Sequence, residues 1–151
     1  MDNALEEAAR PLWSRLRPTM YSDVLKGDLV MHMDRPVFVF GSDLAGRHDK
    51  GAALEALRNR GANYGQGSGL QGNSYAIPTK DESLCSLPLA TIAARVETFI
   101  CFAKTRPWLL FELAPADFGL AEYKPDDIAP MFERAPHNVT LPQVFKDVLR
   151  A

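Results

Sequence analysis

The strongest constraint on the fold is a join. Pro36-Val37-Phe38-Val39-Phe40, an unbroken apolar run of β-favouring side chains, passes directly into Gly41-Ser42-Asp43-Leu44-Ala45-Gly46-Arg47-His48-Asp49-Lys50-Gly51. An apolar run of this kind reads as a buried strand. The small residues that follow begin a helix from about Ala52 to Arg60, which Gly61 ends. Strand, glycine loop and helix in that order place the loop at the carboxyl end of a strand, where open α/β sheets bind their ligands.

The rest of the chain repeats the alternation. Asn3 and Glu6 form a capping box for a helix over 3–16, whose Leu5, Ala8, Ala9, Leu12, Trp13 and Leu16 recur at helical spacing; Pro11 interrupts the stripe. A further turn is expected at 22–26. Residues 61–72 read as a loop, and Ser74 to Ile77 as a short strand stopped by Pro78, with Thr79 and Glu82 capping a turn. Pro88 opens the longest helix, to about Lys104, with Ile92, Val96, Phe99, Ile100 and Ala103 on its buried face. Trp108 to Leu113 is a second apolar strand, and Ala114 to Tyr123 a loop. Pro125, beside Asp126 and Asp127, starts a helix to about Arg134, because proline and acidic groups both suit a first turn. A short strand at 137–139 and a final helix, opened by Thr140, Leu141 and Pro142 and running to Leu149, complete the pattern. The class is α/β with a largely parallel sheet.

Composition excludes several functions. A chain of 151 residues with 46% hydrophobic and 24% charged residues has material for one core. The net charge of -2 and pI of about 5.9 disfavour a duplex nucleic-acid binder, which needs a basic face. No apolar stretch approaches a membrane span, and the acidic, amphipathic N-terminus does not resemble a secretion signal. Cys85 and Cys101, without a CxxC pair, read as reduced core thiols of a cytoplasmic protein. His32, His48 and His137 are too scattered for a zinc site, and no cofactor is implied.

Three loops are candidates for the site. In the first, glycine lets backbone approach a phosphate, N–H groups at a helix start attract anions, and Arg47 and Lys50 add charge. Gly41, Ser42, Gly46, Arg47, Lys50, Gly51 and Ala52 are its candidate contacts. The spacing fits neither a P-loop nor a GxGxxG fingerprint, and the plainer reading is a strand-to-helix turn that needs glycine. The second loop has five glycines between 61 and 72, a large entropic cost for a mere connector. Here Gln66, Gly67, Gly69, Gln71, Gly72 and Asn73 are the candidates for a base, ribose or peptide; a mobile surface loop is the alternative. The third, at 117–123, supplies Asp117, Phe118, Gly119, Leu120 and Ala121, with Phe118 or Tyr123 able to stack on a flat ring. Its alternative is an ordinary strand-to-helix connection.

The residues Leu44-Ala45-Gly46-Arg47-His48 after a strand and before a small-residue helix resemble macro domains, most closely compact versions from phage and bacterial genomes. The resemblance continues through residues 69–80 (GLQGNSYAIPTK), Leu87-Pro88-Leu89, Gly119-Leu120-Ala121, Asp127-Ile128-Ala129-Pro130-Met131-Phe132, Asn138-Val139 and Leu141-Pro142, covering roughly 36–142. It implies a three-layer α/β/α domain over 31–151 with a mostly parallel central sheet, preceded by an N-terminal helical extension over 1–30. It also implies binding of ADP-ribose or a related nucleotide, and for some members hydrolysis of an ADP-ribosyl linkage. By resemblance the 41–52 loop faces the distal ribose and diphosphate, and the 117–123 loop closes over the phosphates.

The chain departs from the family pattern at Asp43, commonly Asn, at Asp49, often Gly, and in the acidic Asp117 and Glu122. Like charges there oppose an anionic ligand. For hydrolysis, Asp43 is the candidate general base or ribose-hydroxyl partner, and His48 the candidate proton donor or phosphate contact; Asp117 is a third. His48 can instead simply cap the turn. The acidic changes also motivate a different expectation, a non-catalytic phage or prophage interaction module whose partner is a protein or a second copy, with Trp13 on a docking or dimer surface. Arg47, Lys50, Tyr64 and Tyr75 suggest a weaker third possibility, single-stranded nucleic acid.

Overall fold

The computed structural model describes residues 35–114 and 123–150. The expected extension over 1–30, with its 3–16 helix and 22–26 turn, and the candidate contacts Asp117 to Ala121 lie outside the described residues.

In chain order the elements are β1 (Val37–Asp43), α1 (Gly51–Asn59), β2 (Gly69–Gln71), β3 (Ser74–Lys80), α2 (Leu89–Lys104), β4 (Phe111–Leu113), α3 (Pro125–Ile128), a 3-10 turn (Ala129–Phe132), β5 (Val139–Thr140) and α4 (Gln143–Arg150). The sheet order is β2-β3-β1-β4-β5. β1 is parallel to β3 and β4, and β4 to β5; only β2 runs antiparallel, against β3.

Alternation along the central strands assigns the faces. Val39 pairs with Tyr75 and Val37 with Phe111. Tyr75 and Phe111 meet Phe99 of α2 at ring-centroid distances of 5.0 and 5.4 Å. Phe99 continues to Phe132 and thence to Phe145 of α4. Phe38 and Phe40 face the other way: Arg60, at the end of α1, lies 4.9 Å over the Phe38 ring, and Phe40 meets the edge of His48 at 5.1 Å. Helices therefore flank both faces of an α/β, mostly parallel sheet in three layers, as expected.

Several boundaries differ from expectation for identifiable reasons. β3 runs through Pro78 to Lys80 instead of stopping at Ile77. β2 pairs only as far as Ala76, and the bridge of Lys80 to Ser86 comes later, so among the described residues no strand pairs with that edge at Pro78 and proline's missing N–H removes no ladder bond. Residues 69–71, expected in a loop, form β2 as the first arm of a tight hairpin with β3. The turn after β3 is capped by Asp81, whose Oδ1 accepts from the Ser83 and Cys85 amides, while Thr79 stays in the strand. β4 is shorter than expected because 106–110 is a turn. The helix at 125 becomes 3-10 after Ile128, where Pro130 cannot donate to a carbonyl four residues back. The last strand begins two residues later than expected, at Val139, and takes in Thr140. Both cysteines are exposed, so the expected core thiols are corrected: Cys101 falls on the solvent side of α2 and Cys85 in the turn after β3.

Candidate functional site

β1 and β3 lie side by side and parallel, so their carboxyl ends open together. A cavity of about 370 Å³ forms there. β1 contributes Gly41, Ser42 and Asp43, and β3 contributes Thr79 and Lys80. His48, Asp49 and Lys50 come from the connecting loop, Gly51, Ala52 and Ala53 from the start of α1, and Leu84 from the turn after β3.

The structure brings most of the first loop's candidates together: Gly41, Ser42, Asp43, His48, Lys50, Gly51 and Ala52 all line the cavity. Lys50 caps α1 without a side-chain bond, and the first turn has no acidic residue. The amides of Gly51, Ala52 and Ala53 precede the first intrahelical bond and have no partner within the helix. They and the Lys50 and Lys80 side chains supply donors and positive charge.

Two buried acceptors complement them. Asp43 is 8% exposed and its Oδ1 has no hydrogen-bond partner; Arg47 Nη1 stands 3.6 Å away, an ion-pair contact longer than a hydrogen bond. His48 is 1% exposed and holds a positive φ of 50°, a conformation uncommon outside glycine. Its Nε2 lies 2.9 Å from the Gln66 carbonyl oxygen and 3.2 Å from Gln71 Oε1. Both neighbours are acceptors, since Gln71 Oε1 also receives the Asn63 amide and Gln71 Nε2 donates to the Gln66 carbonyl. The neutral ring must therefore carry its proton on Nε2, which leaves Nδ1 as a lone-pair acceptor with no partner.

The second glycine loop stands behind the cavity as its support. A Cβ on Gly46 would come within 2.4 Å of the Gln66 amide nitrogen, and one on Gly67 within 2.3 Å of the Asp43 carbonyl oxygen. These two glycines let loops 44–50 and 61–68 pack backbone against backbone. Gly65 N–H donates to the Gly46 carbonyl at 2.7 Å and Ser42 Oγ to the Gly67 carbonyl at 2.5 Å. Gln71 and Asn73 are buried and engaged internally, Asn73 Nδ2 with the Pro36 carbonyl. Gln66 Nε2 donates to the Ser68 and Leu70 carbonyls. None of Gly46, Arg47, Gln66, Gly67, Gly69, Gln71, Gly72 and Asn73 lines the cavity among the described residues. Of these, Gln66 and Gln71 hold the His48 ring, Arg47 faces Asp43, and Gly46 and Gly67 let the two loops close behind them.

Thr79, Lys80 and Leu84 line the cavity although sequence reasoning did not single them out. The signal was available for the first two: they end the strand beside β1, and the ligand rule for α/β sheets applies to both strand ends. Leu84, exposed and at φ 66°, has no such signal. Tyr75 faces α2, away from Arg47 and Lys50, so the four-residue nucleic-acid surface is not assembled. Among the described residues no group of three metal-ligating side chains exists, and no helix is long and apolar enough to cross a membrane. Comparison with protein-family models, curated proteins and solved structures finds no match to the chain.

Proposed function

We propose that the cavity binds a nucleotide of the ADP-ribose class, with a ribose against Asp43 and His48 and phosphate against the start of α1. The observation that carries this reading is the pairing of opposite hydrogen-bonding characters in one cavity. Asp43 Oδ1 and His48 Nδ1 are buried acceptors without donors, and a ribose offers hydroxyl donors. Gly51, Ala52, Ala53, Lys50 and Lys80 offer donors, and a diphosphate offers only acceptors. A buried polar atom left unpaired costs about 1–3 kcal/mol, and a ligand that supplies the missing partner recovers that cost. The resemblance of 36–142 to macro domains supports the same ligand class.

The acids that set this chain apart weigh less than their number suggests. Asp43 is offset by Arg47, and Asp49 shares the cavity with Lys50 and Lys80. If the chain also hydrolyses an ADP-ribosyl linkage, Asp43 is the residue to accept a proton from water. His48 in its neutral form accepts a hydrogen bond at the same end of the cavity; the proton-donor role expected of it requires the ring to be charged.

Isothermal titration of the full chain with ADP-ribose, NAD, ribose 5-phosphate and inorganic phosphate tests the reading. Submillimolar binding of ADP-ribose, weaker binding of ribose 5-phosphate, and a fall of about tenfold in the affinity for both in Asp43→Ala are expected. No heat with any nucleotide at millimolar concentration overturns it. Release of ADP-ribose from a modified protein, followed by mass spectrometry, separates hydrolysis from binding alone.

A further inference from the structure

A larger concavity, about 590 Å³, lies on the α1 face of the sheet toward β4 and β5. Phe38 of β1, Glu55 of α1, Glu112 of β4, Thr140 of β5, and Leu141 and Pro142 between β5 and α4 help line it. Geometry explains why it exists. Five strands at about 4.8 Å spacing span roughly 20 Å, and one helix with its side chains covers about 10 Å. On this face the described residues supply one helix, α1, which packs on β1. The aromatic chain from Phe99 through Phe132 to Phe145 draws α2 and α4 to the opposite face. The β4–β5 half of the α1 face thus has no helix over it among the described residues.

We propose that this groove is the docking site for the chain's own N-terminal segment, residues 3–17. The chain ahead of Arg35 is 34 residues long, and it joins the described structure at the groove's edge. Arg35 Nη2 donates to the Asn59 carbonyl at the end of α1, 3.1 Å away, and the adjacent Arg60 lines the groove. The segment has the matching pattern: Leu5, Ala8, Ala9, Leu12, Trp13 and Leu16 at helical spacing form an apolar stripe. It also has the matching charge. Arg10, Arg15 and Arg17 outnumber Glu6 and Glu7 there, and the groove presents Glu112 beside Glu55, which already pairs with Arg60. Glu112 is exposed in the middle of β4, on a sheet face where an uncovered carboxylate has no internal partner among the described residues. The intervening residues 18–34 extend to as much as about 55 Å, so reach imposes no restriction. The groove adjoins the smaller cavity through Gly51 and Ala52, which line both, but the trapping experiment reads docking without any nucleotide.

Disulfide trapping in the full chain tests it. In a Cys85→Ser/Cys101→Ser background, Leu12→Cys is combined either with Thr140→Cys, in the groove, or with Glu133→Cys, exposed on another surface. The expected result is an intramolecular disulfide with position 140 and none with 133. A disulfide that forms only between two chains assigns the groove to a second copy, and absence of any disulfide leaves the segment undocked; either overturns the proposal. Fluorescence gives a second readout. With Trp108→Phe, Trp13 is the sole tryptophan; its emission is expected to be blue-shifted and shielded from iodide. Glu112→Arg should shift it to the red and expose it, and adding Arg10→Glu and Arg15→Glu should restore shielding. Emission at the denatured-state wavelength in the unmodified groove overturns the proposal.

Discussion

The two faces of this sheet follow opposite rules. On the α2 face, Tyr75, Phe99, Phe102, Phe111, Phe132 and Phe145 interlock ring against ring. The polar side chain buried among them, Asn138, is spent: its Nδ2 donates to the Ala103, Arg106 and Leu109 carbonyls. On the α1 face, at the carboxyl ends of β1 and β3, buried atoms accumulate without partners, among them Asp43 Oδ1 and His48 Nδ1. One face makes the fold stable; the other leaves hydrogen-bonding capacity unfilled in the place where an α/β sheet binds ligands. Their separation by a single layer of strands means that the two roles can be tested apart.

The largest effect should come from Phe99→Ala. Phe99 is fully buried and touches three other rings, so truncation should cost about 3–5 kcal/mol in chemical denaturation. Nucleotide affinity of the molecules that remain folded should not change. An affinity loss that parallels the stability loss would show that the faces are not independent. Asn138→Ala should follow at about 1–3 kcal/mol, because it strands carbonyls that the side chain now satisfies, again with affinity unchanged by titration calorimetry.

How much of this contrast could be read from the sequence differs between the faces. The α2 face was legible in detail: the periodicity of Ile92, Val96, Phe99, Ile100 and Ala103 identified the buried stripe, and all five are buried. Helical spacing reports burial directly, since residues three and four apart must share a face. The first glycine loop was legible as a place, because strand, glycine and small-residue helix are local in sequence. The role of the second loop was not. Gly46 and Gly67 are glycines because two backbones twenty residues apart press together, and a single sequence shows the glycine without its neighbour. For the same reason Gln71 read as a ligand contact, although it holds His48. Thr79 and Lys80 were hidden by Pro78, which reads as the end of a strand and is an interior residue of one.

Asp43→Ala sharpens the contrast by reversing its sign. Removing a buried carboxylate oxygen that lacks a hydrogen bond should leave stability unchanged or raise it by about 1 kcal/mol. Nucleotide affinity should fall about tenfold, the loss of roughly 1.4 kcal/mol of contact. Arg47, about one-third exposed on its side chain, can turn to water once its partner is gone. Denaturation and titration calorimetry on the same variant read the two quantities; a clear loss of stability would place Asp43 with the structural residues.

The smallest effect belongs to pH and to the α2 face alone. Tyr75 is 6% exposed, and burial raises its phenol above the ordinary value of 10.0, against the opposing pull of Arg106 and Arg95. The folded chain therefore holds this proton to higher pH than the unfolded chain does. Below pH 10 both states are protonated and the contribution is complete. As pH rises past 10 the unfolded state releases its proton first, and stability falls until the folded phenol ionises as well. Lysines titrate in the same range, so the informative quantity is the difference between the parent chain and Tyr75→Phe. That difference should be constant from pH 7 to 9 and should shift in favour of Tyr75→Phe above pH 10, measured by denaturant midpoint. Nucleotide binding should not distinguish the two proteins at any of these pH values, because Tyr75 turns its ring toward Phe99 and Phe102, away from Asp43 and His48.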